Sequence, residues 1–325
     1  MAIPNVHFRG ALSGVVLLAL LLPACDKPSR EKGTDPTPIV YPSGCVSYEF
    51  DVRPLPYDSL PYTNYRPPDT TELPEPHDSA GVVYFEWNGG RHYHPVGMCQ
   101  KALTYVDLFR QTGDSTYLSN ALAYIERLIL EADRFDSCLY FPYTFDYKVH
   151  QRDDALLKAP WYSGMAQGQA LSLLVRTFQI TGDSAYLQQA HGTYLALTRN
   201  RGTAEPWVVF EDSLGCYWIE EYPTSPQPSM TLNGFVFGIY GLYDYYLQTR
   251  SEDVKSLLSR SLSTVKNYIP SYRRSHEVSF YGLTFHHYAA DYHRIHIKQL
   301  RQLTSITGDS FFVDWADTLA SDYRE

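Results

Sequence analysis

The chain has 325 residues, of which 44% are hydrophobic and 19% charged, and a formal net charge of −9. That length can bury a large core as one or two domains, and the acidic balance excludes a pervasive positive field for holding nucleic acid. The unusual number is 28 tyrosines, which offer both ring faces and hydroxyl groups, as carbohydrate sites often use.

Near the N-terminus, Arg9 precedes an apolar run over 11–22, followed by Leu22-Pro23-Ala24-Cys25. The run is too short for a comfortable membrane span and suits a signal-peptide core. Leu22, Ala24 and Cys25 fit a bacterial lipobox in which Cys25 carries the lipid; Pro23 is unusual there, and ordinary signal-peptidase cleavage is the alternative. Residues 1–25 are thus expected to be a lipoprotein signal peptide, placing an exported, membrane-anchored protein on the periplasmic or cell-surface side. Residues 26–79, rich in Pro, Ser, Thr and Asp, read as a tether and extended wrapping segment, and 80–325 as the folded domain. Cys45, Cys99, Cys138 and Cys216 are far apart with no C-x-x-C pair, which argues against zinc. One or two disulfides and isolated buried thiols both remain open.

The first strand-like piece, 81–90, closes on a glycine turn. From there the chain repeats: Thr112-Gly113-Asp114-Ser115, Thr181-Gly182-Asp183-Ser184 and Thr307-Gly308-Asp309-Ser310 each separate two helical patterns, and 249–253 is a degenerate copy. Gly suits the left-handed end of one helix and Asp or Ser the cap of the next. The patterns pair as 96–111 with 117–132, 166–180 with 186–198, 232–248 with 254–268, and 295–306 with 311–323. Aromatic, β-branched stretches with turn residues lie between the pairs and read as short hairpins. The expected fold is all-α dominated: an (α/α) barrel or toroid of about four helical hairpins, with short β-hairpins at one rim. An open solenoid is the alternative.

Closure would bring the segments entering each first helix, 89–100, 159–169, 220–234 and 288–300, to one rim. That rim carries Trp161, Tyr162, Glu220, Glu221, Tyr222, Tyr281, Tyr292, His293 and His296, with Arg91, Lys158, Arg294 and Lys298 nearby in sequence. Inner-helix N-termini add a preference for anions. An aromatic, locally cationic rim with a carboxylate and several phenols suits an acidic sugar. His293 and His296 lack a third ligand for a metal, and no cofactor motif stands out.

Several of these segments resemble a known family. Trp161 through Gln169, Glu220-Glu221-Tyr222-Pro223, Leu232-Asn233-Gly234-Phe235, Gly241-Leu242-Tyr243-Asp244, Tyr281-Gly282-Leu283 and Asp291-Tyr292-His293 are similar, in order and spacing, to the C-terminal domain of D-glucuronyl C5-epimerases. The resemblance covers roughly Gly81 to the C-terminus and implies an (α/α) barrel that converts D-glucuronic to L-iduronic acid in a heparosan-like polymer. It leaves a homodimer open, since animal members are dimers; membrane attachment is expected only through the lipid anchor on Cys25, and no cofactor is expected.

The chemistry accounts for the residue types. A C5 hydrogen beside a carboxylate is weakly acidic, so the enolate-like intermediate needs its added charge stabilised. Inversion removes a proton from one face and returns one to the other, a task for tyrosine if nearby cations lower its phenol. By resemblance the catalytic set is Glu221, Tyr222, Tyr281 and Tyr292, with Glu221 and Tyr222 as a pair and Tyr292 their partner across the rim. Trp161, Tyr162, Gln167, Asn233, His293, Arg294 and His296 are the expected substrate contacts. Trp161 could equally be lid packing, Asn233 only a helix cap, and Glu220 solvated or bonded to a helix N-terminus. Where animal members carry an acidic and a basic residue after the first rim tyrosine, this chain has Gly282 and Thr284, so a carboxylate contact is lost or passes to His286, His287 or Arg294. A polysaccharide lyase and a catalytically degenerate glycan-binding lipoprotein are the competing functions.

Overall fold

Each Thr-Gly-Asp-Ser repeat is a hinge between two helices in the computed structural model, which describes residues 39–64, 75–203 and 205–323. Gly113, Gly182 and Gly308 take left-handed φ values of 72°, 71° and 68°, and Asp114, Asp183 and Asp309 then accept from the N–H groups of Thr116, Ala185 and Phe311 to cap the next helix. In the degenerate copy Arg250 makes the same left-handed turn, at φ 55°, where a side chain costs roughly 1–2 kcal/mol. The expected signal peptide and Cys25 lie outside the described residues.

Four helical hairpins result: α1 (Pro95–Thr112) with α2 (Ser115–Leu130), α3 (Gly164–Thr181) with α4 (Ser184–Ala196), α5 (Leu232–Thr249) with α6 (Glu252–Tyr272), and α7 (Ala290–Thr307) with α8 (Ser310–Asp322). α7 begins earlier than its apolar spacing suggests, so Tyr292 and His293 sit inside its first turn. The odd-numbered helices form the inner layer, α1 on α3, α3 on α5 and α5 on α7. From Gly164 to Thr177 every residue of α3 is buried, as an inner helix requires.

The strands are short and antiparallel. β1 (Phe85–Trp87) pairs with β2 (Gly90–His92) through Asn88-Gly89, both at positive φ, the preferred two-residue turn. β3 (Asp133–Phe135) pairs with β4 (Cys138–Tyr140), β5 (Pro142–Tyr143) with β8 (Trp161–Tyr162), and β6 (Tyr147–Lys148) with β7 (Leu156–Leu157). β9 (Val209–Glu211) pairs with β10 (Tyr217–Ile219), Trp218 opposite Phe210, and β11 (Phe280–Gly282) with β12 (His287–Tyr288).

Residues 39–64 run across the helices, mostly extended, with a short 3-10 turn at Tyr57–Ser59. The Val46 N–H donates to Asn267 of α6, the Arg53 N–H to the Ile306 carbonyl and the Leu55 N–H to the Tyr243 hydroxyl, and the Gln302 amide donates to the Ser59 carbonyl. Tyr62 then stacks on Phe237 at 5.7 Å, while Tyr57 lies beneath the Arg110 guanidinium of α1 at 4.7 Å. The segment therefore touches α5, α7 and α1 together. A Cys45–Cys216 disulfide, spanning 171 residues, fastens it beside β10; Cys99 and Cys138 are buried thiols.

Where α3 crosses α5, the two backbones meet. A Cβ on Gly168 would lie 2.4 Å from Gly238 Cα, and one on Gly241 2.3 Å from the Gly168 carbonyl oxygen. Neither contact is with a flexible side chain, so the helices would have to separate. Gly168→Ala is expected to lower the unfolding free energy by about 1–3 kcal/mol or more, measured by urea denaturation; an unchanged midpoint would contradict this packing.

Candidate active site

β10 carries the site residues into the groove between α3 and α5. Ile219 sits where a Cβ on Gly164 would be 2.5 Å, and one on Gly238 2.7 Å, from its Cγ2. The Gly164 N–H donates to the Glu220 carbonyl at 2.7 Å, tying the start of α3 to the strand end. Glu221 follows and lies directly over Gly234 in the first turn of α5, where a Cβ would be 2.3 Å from Glu221 Oε2. This places a carboxylate against a helix N-terminus, which favours negative charge.

The Tyr281 hydroxyl donates to Glu221 Oε1 at 3.2 Å and shares a hydrogen bond with the Tyr222 hydroxyl at 3.4 Å. The Tyr292 ring stands edge-on to Tyr281 with centroids 4.4 Å apart. One carboxyl and three phenols, from the segment just past β10 and from β11 and α7, thus form a contiguous group, with Tyr292 adjoining Tyr281 rather than across the rim. Glu221 is 7% exposed and Tyr281 3%. Burial drives the Glu221 carboxyl up to about 8 against the hydrogen bonds from Tyr222 and Tyr281.

Burial, and then the negative charge of Glu221, hold Tyr222 and Tyr281 well above the usual phenol range. This corrects the expectation of phenols lowered by cations. Three of the four cations near the rim in sequence are engaged elsewhere: Lys158 with Asp146 at 2.5 Å, Arg294 with Asp291 at 2.5 Å, and Arg91 over the Tyr84 ring at 4.0 Å.

Glu220 is buried, not solvated. It accepts from the Tyr222 and Met230 N–H groups and the Ser229 hydroxyl, so it folds the 224–231 loop back ahead of α5; burial raises it to about 7. Thr284 donates to the Pro228 carbonyl on that loop, and Gly282 bridges to Thr231. The two positions that depart from the animal pattern therefore hold the loop in place.

The family model for the D-glucuronyl C5-epimerase C-terminus matches residues 135–321, which include every residue of this group. The chain belongs to that family. It is 29% identical over 183 residues to the D-glucuronyl C5-epimerase of Caenorhabditis elegans, covering 50% of this chain and 29% of that protein. It is 25% identical over 211 residues to an uncharacterized protein of Methanocaldococcus jannaschii, covering 61% and 65%. The chain spans less than two thirds of either relative's length. Among solved structures, cellobiose 2-epimerase from Bacillus thermoamylovorans B4167 is 13% identical with a TM-score of 0.50, covering 71% of this chain and 60% of that one. D-mannose isomerase is 12% identical with a TM-score of 0.50, covering 75% and 63%. These two likenesses are of fold. Membership makes this chain carbohydrate epimerase-like.

The structure takes most of the expected substrate contacts of this C5-epimerase relative away from the group. Trp161 and Tyr162 are adjacent in β8, so their side chains point to opposite faces. Trp161 borders Tyr222 at 6.3 Å, yet it stacks on Tyr143 at 3.9 Å, donates to the Phe145 carbonyl and is 6% exposed, which makes it lid packing. Tyr162 faces the main core, its hydroxyl on Asp133. The Gln167 amide is used on both sides, accepting from Phe141 N–H and donating to the Leu139 carbonyl. His293 accepts from the Ser279 N–H and donates to the Leu319 carbonyl, and His296 meets the Ser279 hydroxyl; both are buried behind β11. Arg294 points to the surface. Asn233 lies inside α5, which Thr231 caps, and is buried with its side-chain oxygen unpartnered.

Sequence spacing missed the turn after β6. Val149–Gln151 brings His150 against Tyr281 at 5.4 Å and Tyr222 at 6.4 Å, and Tyr147 stacks on Tyr222 at 5.7 Å. His150 belongs to no repeat or motif, so only the fold brings it here.

The two buried glutamates impose a pH dependence. Their folded values of about 7 and 8 exceed the ordinary carboxyl value of 4.5, so the native state keeps protons that the unfolded chain has released. Their stabilising effect is complete below about 4.5 and is lost as pH rises through 7 and 8. Unfolding free energy should therefore fall by a few kcal/mol over that window. Glu221→Gln should flatten its upper part in urea titrations at a series of pH values; an unchanged slope would contradict this.

Proposed function

We propose that the protein is a uronyl C5-epimerase acting on a heparosan-like acidic polysaccharide, converting D-glucuronic to L-iduronic acid units. The observation that carries the reading is the Glu221–Tyr281–Tyr222 hydrogen-bonded group with Tyr292 against it. A carboxyl near 8 is poised to exchange protons close to neutral pH, and two phenols extend its reach.

In this reading the C5–H bond breaks as the proton passes to Glu221 through the Tyr281 and Tyr222 hydroxyls. The electron pair delocalises into the sugar carboxylate as an enediolate. The Tyr292 hydroxyl then donates a proton to the opposite face of C5, forming the new C–H bond, and regains one from solvent while Glu221 gives its proton up to solvent. No electrons are gained or lost, so the step needs no redox partner. Phenol donors beside the enediolate would stabilise its added charge in a water-poor site. The Cys45–Cys216 disulfide supports an exported location, and we place the anchor on Cys25.

Incubation with glucuronic-acid polymers in heavy water tests the proposal by NMR. Deuterium should enter C5 and iduronate should form; an unsaturated sugar would indicate a lyase, and binding without exchange would overturn both enzymes. Because Glu221 must be ionised to accept a proton, exchange should rise with pH, about tenfold per unit at most, until pH about 8. Tyr292→Phe should cost at least about 100-fold in exchange while substrate binding persists; near-parental exchange would remove Tyr292 from the mechanism.

A further inference from the structure

His150 is held in an unusual way for a residue with no place in the proton-transfer chain. Its backbone lies at φ 52°, ψ 34°, and Gln151 follows at φ 57°. Two consecutive side-chain-bearing residues in the left-handed region are strained, and such strain persists where the surroundings impose it, commonly at functional sites. Here the imposing elements are the β6–β7 pairing on either side and the Arg152 N–H donated to the Val149 carbonyl.

The strained turn presents the imidazole to the tyrosines. It stacks on His287 at 3.8 Å with planes 21° apart, and stands edge-on to Tyr281. Phe285 closes a third side at 6.2 Å, and the Arg152 guanidinium lies over that ring at 5.1 Å. His150 Nε2 is shut off from solvent with no hydrogen-bond partner, a condition protein interiors rarely tolerate. The charged and titratable groups around it are His287 on β12, Tyr281 on β11 with Glu221 behind it, Tyr222 beyond β10, and Arg152 on its own turn. Burial, then His287 and Arg152, push His150 down to about 3, so its immediate surroundings disfavour a further positive charge and would welcome a negative one.

Position then limits which negative group fits. The carboxylate of a uronic acid is bonded directly to C5, so whatever holds it must adjoin the groups that move the C5 proton. His150 adjoins both Tyr222 and Tyr281. We propose that His150, backed by His287, seats the carboxylate of the sugar undergoing inversion, donating from Nε2–H to an oxygen that gains charge as the enediolate forms. The inference rests on the uronyl-epimerase reading for the identity of the sugar. It supplies the carboxylate contact whose expected position is occupied by Thr284, a loop clamp here.

The test compares binding of a glucuronic-acid oligosaccharide and its carboxyl-reduced counterpart to the full chain by calorimetry. The parental protein should prefer the acid by about tenfold or more, as for a hydrogen bond to a charged group. His150→Gln should remove most of that preference and His150→Arg retain it, with folding checked by thermal melting. If His150→Gln does not fold, His287→Gln reads the same preference and should reduce it. Acid binding should also take up protons and weaken as pH rises, since an anion beside His150 favours its protonated form. Absence of preference in the parental protein, or its persistence in the folded His150 variant, would overturn the inference. The outcome is separable from turnover. Preference through His150 without C5 exchange would keep this seat and sink the epimerase reading, whereas C5 exchange with unaltered KM in His150→Gln would do the reverse.

Discussion

The contact that the rest depends on is the glycine-lined groove where α3 and α5 touch. Gly168, Gly238 and Gly241 let two backbones meet without side chains between them, and Gly164 with Gly238 leaves room for Ile219 to wedge into the opening. A strand end anchored so deeply cannot shift independently of the helices. Glu220 and Glu221 come next in the chain, so the seam that packs the inner layer also determines where the carboxyl sits. Gly234 completes the arrangement by letting Glu221 lie flat on the first turn of α5.

That placement sets the electrostatics. Glu221 gains the helix end and phenolic hydrogen bonds yet loses water, and desolvation prevails, taking it to about 8. Tyr222 and Tyr281 move upward for the same reason. The result is a site that holds its protons tightly, in contrast to the cation-activated phenols that the rim sequences suggested. Charge developing on a substrate would be met by hydrogen-bond donors, and the imidazole pair of His150 and His287 adjoins the same tyrosines.

Much of the architecture was legible from local chemistry. Gly-Asp steps announce a left-handed helix end followed by a cap, and these held in detail at Gly113-Asp114, Gly182-Asp183 and Gly308-Asp309. The grouping of Glu221, Tyr222, Tyr281 and Tyr292 was legible through the family motifs. What stayed hidden was side-chain direction and tertiary reach. Trp161 and Tyr162 could not both face the site because a strand alternates, and which one did depended on its register with β5. His293 and His296 looked like rim residues until α7 proved to start at Ala290 and turn them toward β11 and α8. His150 was invisible because nothing local marks it; its neighbours come from β11 and β12, far along the chain.

The central claim is that Glu221 owes its position to its contact with Gly234, and its raised proton affinity to the burial that this position imposes. Gly234→Ala adds one methyl group and improves helix propensity, so the fold should survive while the carboxyl is forced off the helix. The decisive measurement is C5 exchange in heavy water by this variant. The account predicts a loss of at least about 100-fold with polymer binding preserved. Parental exchange with an unaltered pH profile would contradict it.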